Sequence, residues 1–92
     1  MYTRNEVIAE KFDTDNRINQ LQEECAELIC VANHYRRNRV PVRNVAEEMA
    51  DVRVLMEQVM LKLGITEDDI KKIAQSKIYR TLERREWDRK NR

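Results

Sequence analysis

The sequence predicts an all-α protein: one helical bundle over residues 1–92, completed by oligomerisation. Three observations carry this reading. One Gly and one Pro in 92 residues leave almost no turn chemistry. Good helix formers (Glu, Lys, Arg, Leu, Met and Ala) dominate the composition. Apolar residues recur at steps of three and four over long windows, the period of a helix with one buried side. A chain this short builds a thin core, so copies of the chain are expected to supply the missing burial.

The first element is a short helix over about residues 4–12. Thr3 and Glu6 have the spacing of a capping box, and Val7, Ile8 and Phe12 form its expected buried side. The segment "DTDN" breaks it, and Asp13, Thr14 or Asp15 can cap a second helix over about 15–36. Ile18, Leu21, Cys25, Leu28 and Ala32 form the apolar stripe of that helix. "RRNRVPVRN" holds the only proline, Pro41, and reads as the longest connection.

A third helix over about 43–63 ends at Gly64, where a left-handed residue would terminate it. Val45, Met49, Val52, Met56, Val59 and Leu63 lie on one side, with Val54, Leu55, Met60 and Leu61 on others. Apolar residues over so much of the circumference call for burial on two sides, and a partner subunit is the expected cover. Met49, Met56 and Met60 read as core filler. Thr66 and Asp69 repeat the capping-box spacing and open a fourth helix over about 67–86, with the acidic first turn "EDD" suited to the helix dipole. Its stripe is Ile70, Ile73, Ala74, Ile78 and Leu82, and its end is expected to fray among charges.

The charges narrow the function classes. With 18 basic and 17 acidic residues the total is nearly neutral, which gives no general case for nucleic acid or a membrane surface. From Lys71 onward, however, nine basic residues face three acidic ones, so this end is suited to an anion. "HYRRNR" is explained by cations at a helix C-terminus and needs no nucleic acid. Cys25 and Cys30 are five apart on one helix, on divergent faces. This spacing suits neither a disulfide nor a zinc site, and both read as reduced core thiols. No signal-peptide pattern and no membrane-length apolar run is present, so the expectation is a cytoplasmic protein without a membrane partner.

The chemistry concentrates in two acidic pairs. "EECAE" places Glu24 and Glu27 at i,i+3, about 5–6 Å apart at Cβ. "EEMAD" does the same with Glu48 and Asp51. Each pair borders an apolar stripe, and the residues at i+4 (Leu28, Val31, Val52 and Leu55) cannot neutralise them. If the two helices pack antiparallel, four carboxylates converge at the edge of the core. Bare, that arrangement is unfavourable, because like charges repel and partial burial raises the penalty. One acidic pair would be an ordinary solvated face; two pairs beside two seams favour a cation site.

All-oxygen donors suit Mg²⁺ or Mn²⁺, with Ca²⁺ admissible, whereas zinc and iron sites recruit His or Cys. A di-iron carboxylate bundle needs Glu-x-x-His, and the only histidine, His34, lies seven residues past Glu27. Mg²⁺ completes its shell with water and phosphate oxygens, which points to phosphate chemistry.

"EECAE" followed by "EMAD", within "DNRINQLQEECAELI", "AEEMADVRVLMEQV" and "KIYRTLERRE", resembles the signature of the MazG-like all-α nucleoside triphosphate pyrophosphohydrolases, in their short single-domain bacterial and phage form. The resemblance covers roughly residues 15–85. It implies a homodimer or homotetramer with Mg²⁺ held by Glu24, Glu27, Glu48 and Asp51, and Glu23 as a further ligand or the residue that orients the attacking water. It implies hydrolysis of a nucleoside triphosphate to the monophosphate and pyrophosphate. Lys77, Arg80 and Arg84 resemble the family's basic residues for the outer phosphates, and Gln20 and Asn16, one and two turns before Glu24, can reach base or sugar. The alternative is a noncatalytic helical oligomer of the same fold that binds nucleotides or a protein partner.

Overall fold

The computed structural model describes residues 1–91; Arg92, the last of the C-terminal basic residues counted above, lies outside the described residues. Four helices follow one another: α1 (Arg4–Glu10), α2 (Thr14–Arg36), α3 (Val42–Leu63) and α4 (Glu67–Lys90). No strand occurs among the described residues.

Local chemistry sets the helix ends. Thr3 and Glu6 close a reciprocal capping box on α1. Asp13 caps α2, its carboxylate accepting from the Asn16 N–H at 2.7 Å. Thr66 and Asp69 close the second capping box, at the start of α4. Gly64 ends α3 with φ of 70°, a left-handed conformation that a Cβ would strain. Asn38 takes the same conformation after α2, with φ of 59°, so the α2–α3 connection turns sharply although it lacks glycine.

α2 packs on α3, α1 lies on α3, and no other pair of helices shares an interface of comparable extent. α2 and α3 run antiparallel: Arg17 meets Gln58 at one level and Glu24 and Glu27 meet Glu48 at another, so numbers rise along one helix as they fall along the other. The seam is narrow. Among the described residues, only Ala9, Leu55 and Val59 are buried apolar residues. Ile18, Leu21, Cys25, Leu28 and Ala32 of α2 are half-buried, as their spacing predicts.

Several expected core positions lie elsewhere. On α3 the seam runs through Val45, Glu48, Val52, Leu55 and Val59, while Met49, Met56 and Leu63 face out. Packing selects one arc of the broad apolar surface, and this arc leaves the first two methionines outside it. Val7, Ile8 and Phe12 are also exposed; α1 meets α3 through Ala9, whose small side chain permits close approach. Cys30 is exposed rather than a core thiol. α4 continues to Lys90, past the expected end, with Glu86 bridging to Arg89 and Lys90 in its last turns.

A polar network ties three helices together. The buried Arg17 donates from Nη1 to Gln58 Oε1 at 2.8 Å and from Nη2 and Nε to Asn16 Oδ1. Gln58, also buried, donates through Nε2 to Asn5 Oδ1 of α1 at 2.8 Å. The Arg17 guanidinium stacks 3.9 Å from the centroid of the Phe12 ring.

α4 stands apart. None of its residues is buried, and of its stripe only Ile70 is even half-buried. The radius of gyration is 17.2 Å, against about 12 Å for a compact domain of this length. No helix among the described residues is long and apolar enough to cross a membrane.

Candidate metal centre

The antiparallel seam places two turns of α2 opposite one turn of α3. Glu24 and Glu27 therefore share a face of α2 and meet Glu48, and carboxylate oxygens of the three lie within 4.8 Å of one another. Glu24 and Glu48 are half-buried, and Glu27 is exposed. Gln20, one turn before Glu24, donates from Nε2 to Glu24 Oε1 at 3.1 Å. The second oxygens, Glu24 Oε2 and Glu48 Oε2, are buried and have no hydrogen-bond partner.

Burial pushes the Glu24 carboxyl above its ordinary value. The Gln20 amide opposes that rise, while the negative charges of Glu27 and Asp51 and a shared hydrogen bond with Glu27 add to it. Buried polar atoms are almost always partnered, so two orphaned carboxylate oxygens in one cluster are unusual. A cation held among the three acids would relieve their repulsion and could partner such oxygens. The donor set is wholly carboxylate oxygen, which suits a hard divalent ion.

The other sequence-derived residues fall into three groups. Asp51 is exposed and outside the tight trio, yet close enough for its charge to act on Glu24. Glu23 is exposed and also outside the trio. Asn16 points its side-chain oxygen at Arg17, so its acceptor serves the network that orders the helices rather than an open site. Gln20 orients Glu24.

Lys77, Arg80 and Arg84 line one open furrow on α4 with Trp87. α4 shares no extended interface with α2 or α3, so one chain does not set these cations against the acids. Of the apolar stripe that was expected to dock α4, Ile70 alone among the described residues is half-buried, and Ile73, Ala74, Ile78 and Leu82 are exposed.

Beside the trio lies an open depression of about 370 Å³, lined by Ala26, Glu27, Cys30, Val31, His34 and Glu48. Cys30 and His34 went unrecognised as neighbours of the acids. The signal was present: positions 27, 30, 31 and 34 form one helical ridge.

No protein family, curated protein or solved structure matches the chain.

Proposed function

We propose that the protein is a Mg²⁺-dependent nucleoside triphosphate pyrophosphohydrolase, working as a homodimer or homotetramer on deoxy or noncanonical nucleotides. On this reading it is a MazG-like enzyme of nucleotide-pool control, with Mn²⁺ as a substitute metal. The observation that carries the reading is the trio Glu24, Glu27 and Glu48, with its two buried and unpartnered oxygens.

Glu24, Glu27 and Glu48, joined by Asp51, would hold the metal. When bound, Mg²⁺ supplies neutralisation of the triphosphate charge and of the charge that develops in transfer. The chain's own residues do the rest. Gln20 donates to Glu24 Oε1, which leaves Oε2 as the oxygen of Glu24 without a hydrogen-bond partner. Glu23, exposed on the same turn, orients a water for in-line attack on the α-phosphorus. The bond from that phosphorus to the bridging oxygen breaks, and pyrophosphate leaves. Lys77, Arg80 and Arg84 donate to the outer phosphates.

Those cations reach the acids only from another copy of the chain, and the exposed area supports such a partner. The isolated chain exposes 8124 Å², against about 5,700 Å² for a folded monomer of its mass. The excess, about 2,400 Å² per chain, is in the range that obligate interfaces cover. Ile73, Ile78, Leu82 and Trp87 on α4 and Met49 and Met56 on α3 provide apolar surface for it.

The test is turnover of a panel of triphosphates with Mg²⁺, resolving monophosphate plus pyrophosphate from diphosphate plus phosphate. Glu48→Gln should abolish turnover with helix content intact. Phosphate release instead of pyrophosphate, or full activity in Glu48→Gln, refutes the proposal. Tight nucleotide binding without turnover assigns the chain to a noncatalytic binder of the same fold.

A further inference from the structure

The third helix carries an apolar row that the chain leaves open. Val45, Met49, Val52, Met56, Val59 and Leu63 alternate steps of four and three, the heptad pattern by which one helix packs along another. The chain uses half of it. Val45, Val52 and Val59 lie in the seam with α2, whereas Met49 (56%), Met56 (41%) and Leu63 (50%) are exposed. These three stand seven residues apart, in a row about 21 Å long. Met60, on the same flank, is half-buried, and none of the four carries a charge. A contiguous exposed apolar row of this kind marks an interaction surface.

The spacing selects what covers it. Position 56 is midway between 49 and 63, so a second α3 laid antiparallel matches the row with itself. Met56 then meets the partner's Met56, and Met49 meets the partner's Leu63. On the rim, Arg53 comes within a turn of the partner's Glu57, twice by symmetry, which is a complementary though weak pairing. The α4 stripe of another copy is a poorer match, because Ile73, Ile78 and Leu82 are spaced by five and four and Lys77, Arg80 and Arg84 stand beside them. The exposed area of 8124 Å² exceeds that of a folded monomer of this mass by about 2,400 Å², enough for a stable seam. We propose that α3 pairs antiparallel with α3 of a second copy through Met49, Met56 and Leu63, with Met56 on the two-fold axis. At this register the partner's Leu63, the end of its α3, lies beside Met49 and next to Glu48. The partner's α4 therefore begins at the level of the acidic trio. The seam rests on the oligomer of the enzyme reading and not on its chemistry.

Sedimentation with charge variants tests the register. Met56→Glu sets two carboxylates face to face across the axis and Met56→Lys two ammonium groups, so each should raise the dissociation constant at least about tenfold. An equimolar mixture of the two should associate as the parent does, because only a residue that faces itself is rescued in this way. Met49→Glu should be rescued by Leu63→Lys and not by Met49→Lys. All three positions are exposed within one chain, and circular dichroism checks that each variant keeps its helices. A second measurement needs no added charge. In a Cys25→Ser, Cys30→Ser background, Met56→Cys should oxidise to a linked dimer, and Val54→Cys, exposed on another face of α3, should not. A parent that sediments as a monomer, charge variants at 56 that associate unchanged or that mixing fails to rescue, or equal linkage at 54 and 56 overturns the seam. Pyrophosphate release is read separately, so loss of the seam and loss of the hydrolase are distinguishable results.

Discussion

Gln58 is the most buried polar residue among the described residues, at 2% exposure, and it holds α1, α2 and α3 together through two hydrogen bonds. Gln58→Ala removes an acceptor from the Arg17 guanidinium and a donor from Asn5. A hydrogen bond to a charged group is worth about 1.5–3 kcal/mol, and a neutral one about 0.5–1.5 kcal/mol. Arg17 is itself buried and its side-chain acceptors are the neutral amides of Asn16 and Gln58, so its freed N–H has little water to turn to. The expected loss is about 2–4 kcal/mol, or roughly 10–25 °C in Tm for a domain of this size. Gln58→Glu provides the discriminating control. It keeps an acceptor for Arg17 and adds an opposite charge, while Asn5 can turn its amide to donate, so this variant should melt within a few degrees of the parent. The assay is thermal and urea unfolding followed by circular dichroism at one fixed protein concentration, since association shifts apparent stability. If Gln58→Ala unfolds within about 0.5 kcal/mol of the parent, the network does not order the helices and the reasoning fails.

Three further outcomes follow from the same geometry. Mg²⁺ should raise the Tm of the parent and leave Glu24→Gln nearly unmoved; an equal rise in both removes Glu24 from the metal shell. Without metal, the raised Glu24 value means that folding favours the protonated form, so this group's penalty is felt in full at neutral pH and disappears as pH falls through that value. Parent and Glu24→Gln melting temperatures should therefore converge in mild acid, which a pH series of melting curves reads. Asp69 has the opposite sign. The Thr66 backbone and hydroxyl hold its carboxyl below the ordinary value, so its stabilisation is present above the ordinary carboxylate range and lost as pH falls through the lowered value. The acid-side decline should be shallower in Asp69→Asn, and an unchanged slope would remove the capping box from the account.

The helices were legible because their punctuation is local. Thr3, Asp13, Gly64 and Thr66 act on the backbone within four residues, and each does in the structure what its type and position dictate. The acidic trio was legible for a related reason: i,i+3 spacing fixes a face, and a short connection fixes an antiparallel partner. What escaped the sequence depends on rotation about a helix axis. α3 is apolar around most of its circumference, so its pattern could not say which arc meets α2, and Met49 and Met56 fell outside it. The Arg17–Gln58 network escaped because a long polar side chain reads as surface until a partner 41 residues away is placed beside it.

α4 poses the remaining physical problem. A helix of 24 residues is about 36 Å long, and with no buried residue its helicity must come from its cap, its propensities and its surface charge pairs. Those contributions are marginal for an isolated helix in water, while Ile73, Ile78, Leu82 and Trp87 remain open to solvent. In the proposed oligomer a second copy would resolve both difficulties and would also carry Lys77, Arg80 and Arg84 to the acids. Stability, helicity and activity are then three readings of one association equilibrium. On dilution all three should fall together, and Leu82→Glu should shift sedimentation to the monomer and reduce helix content. A monomeric Leu82→Glu variant that keeps full helix content would separate α4 from the interface, and with it the supply of phosphate-binding cations from a neighbouring chain.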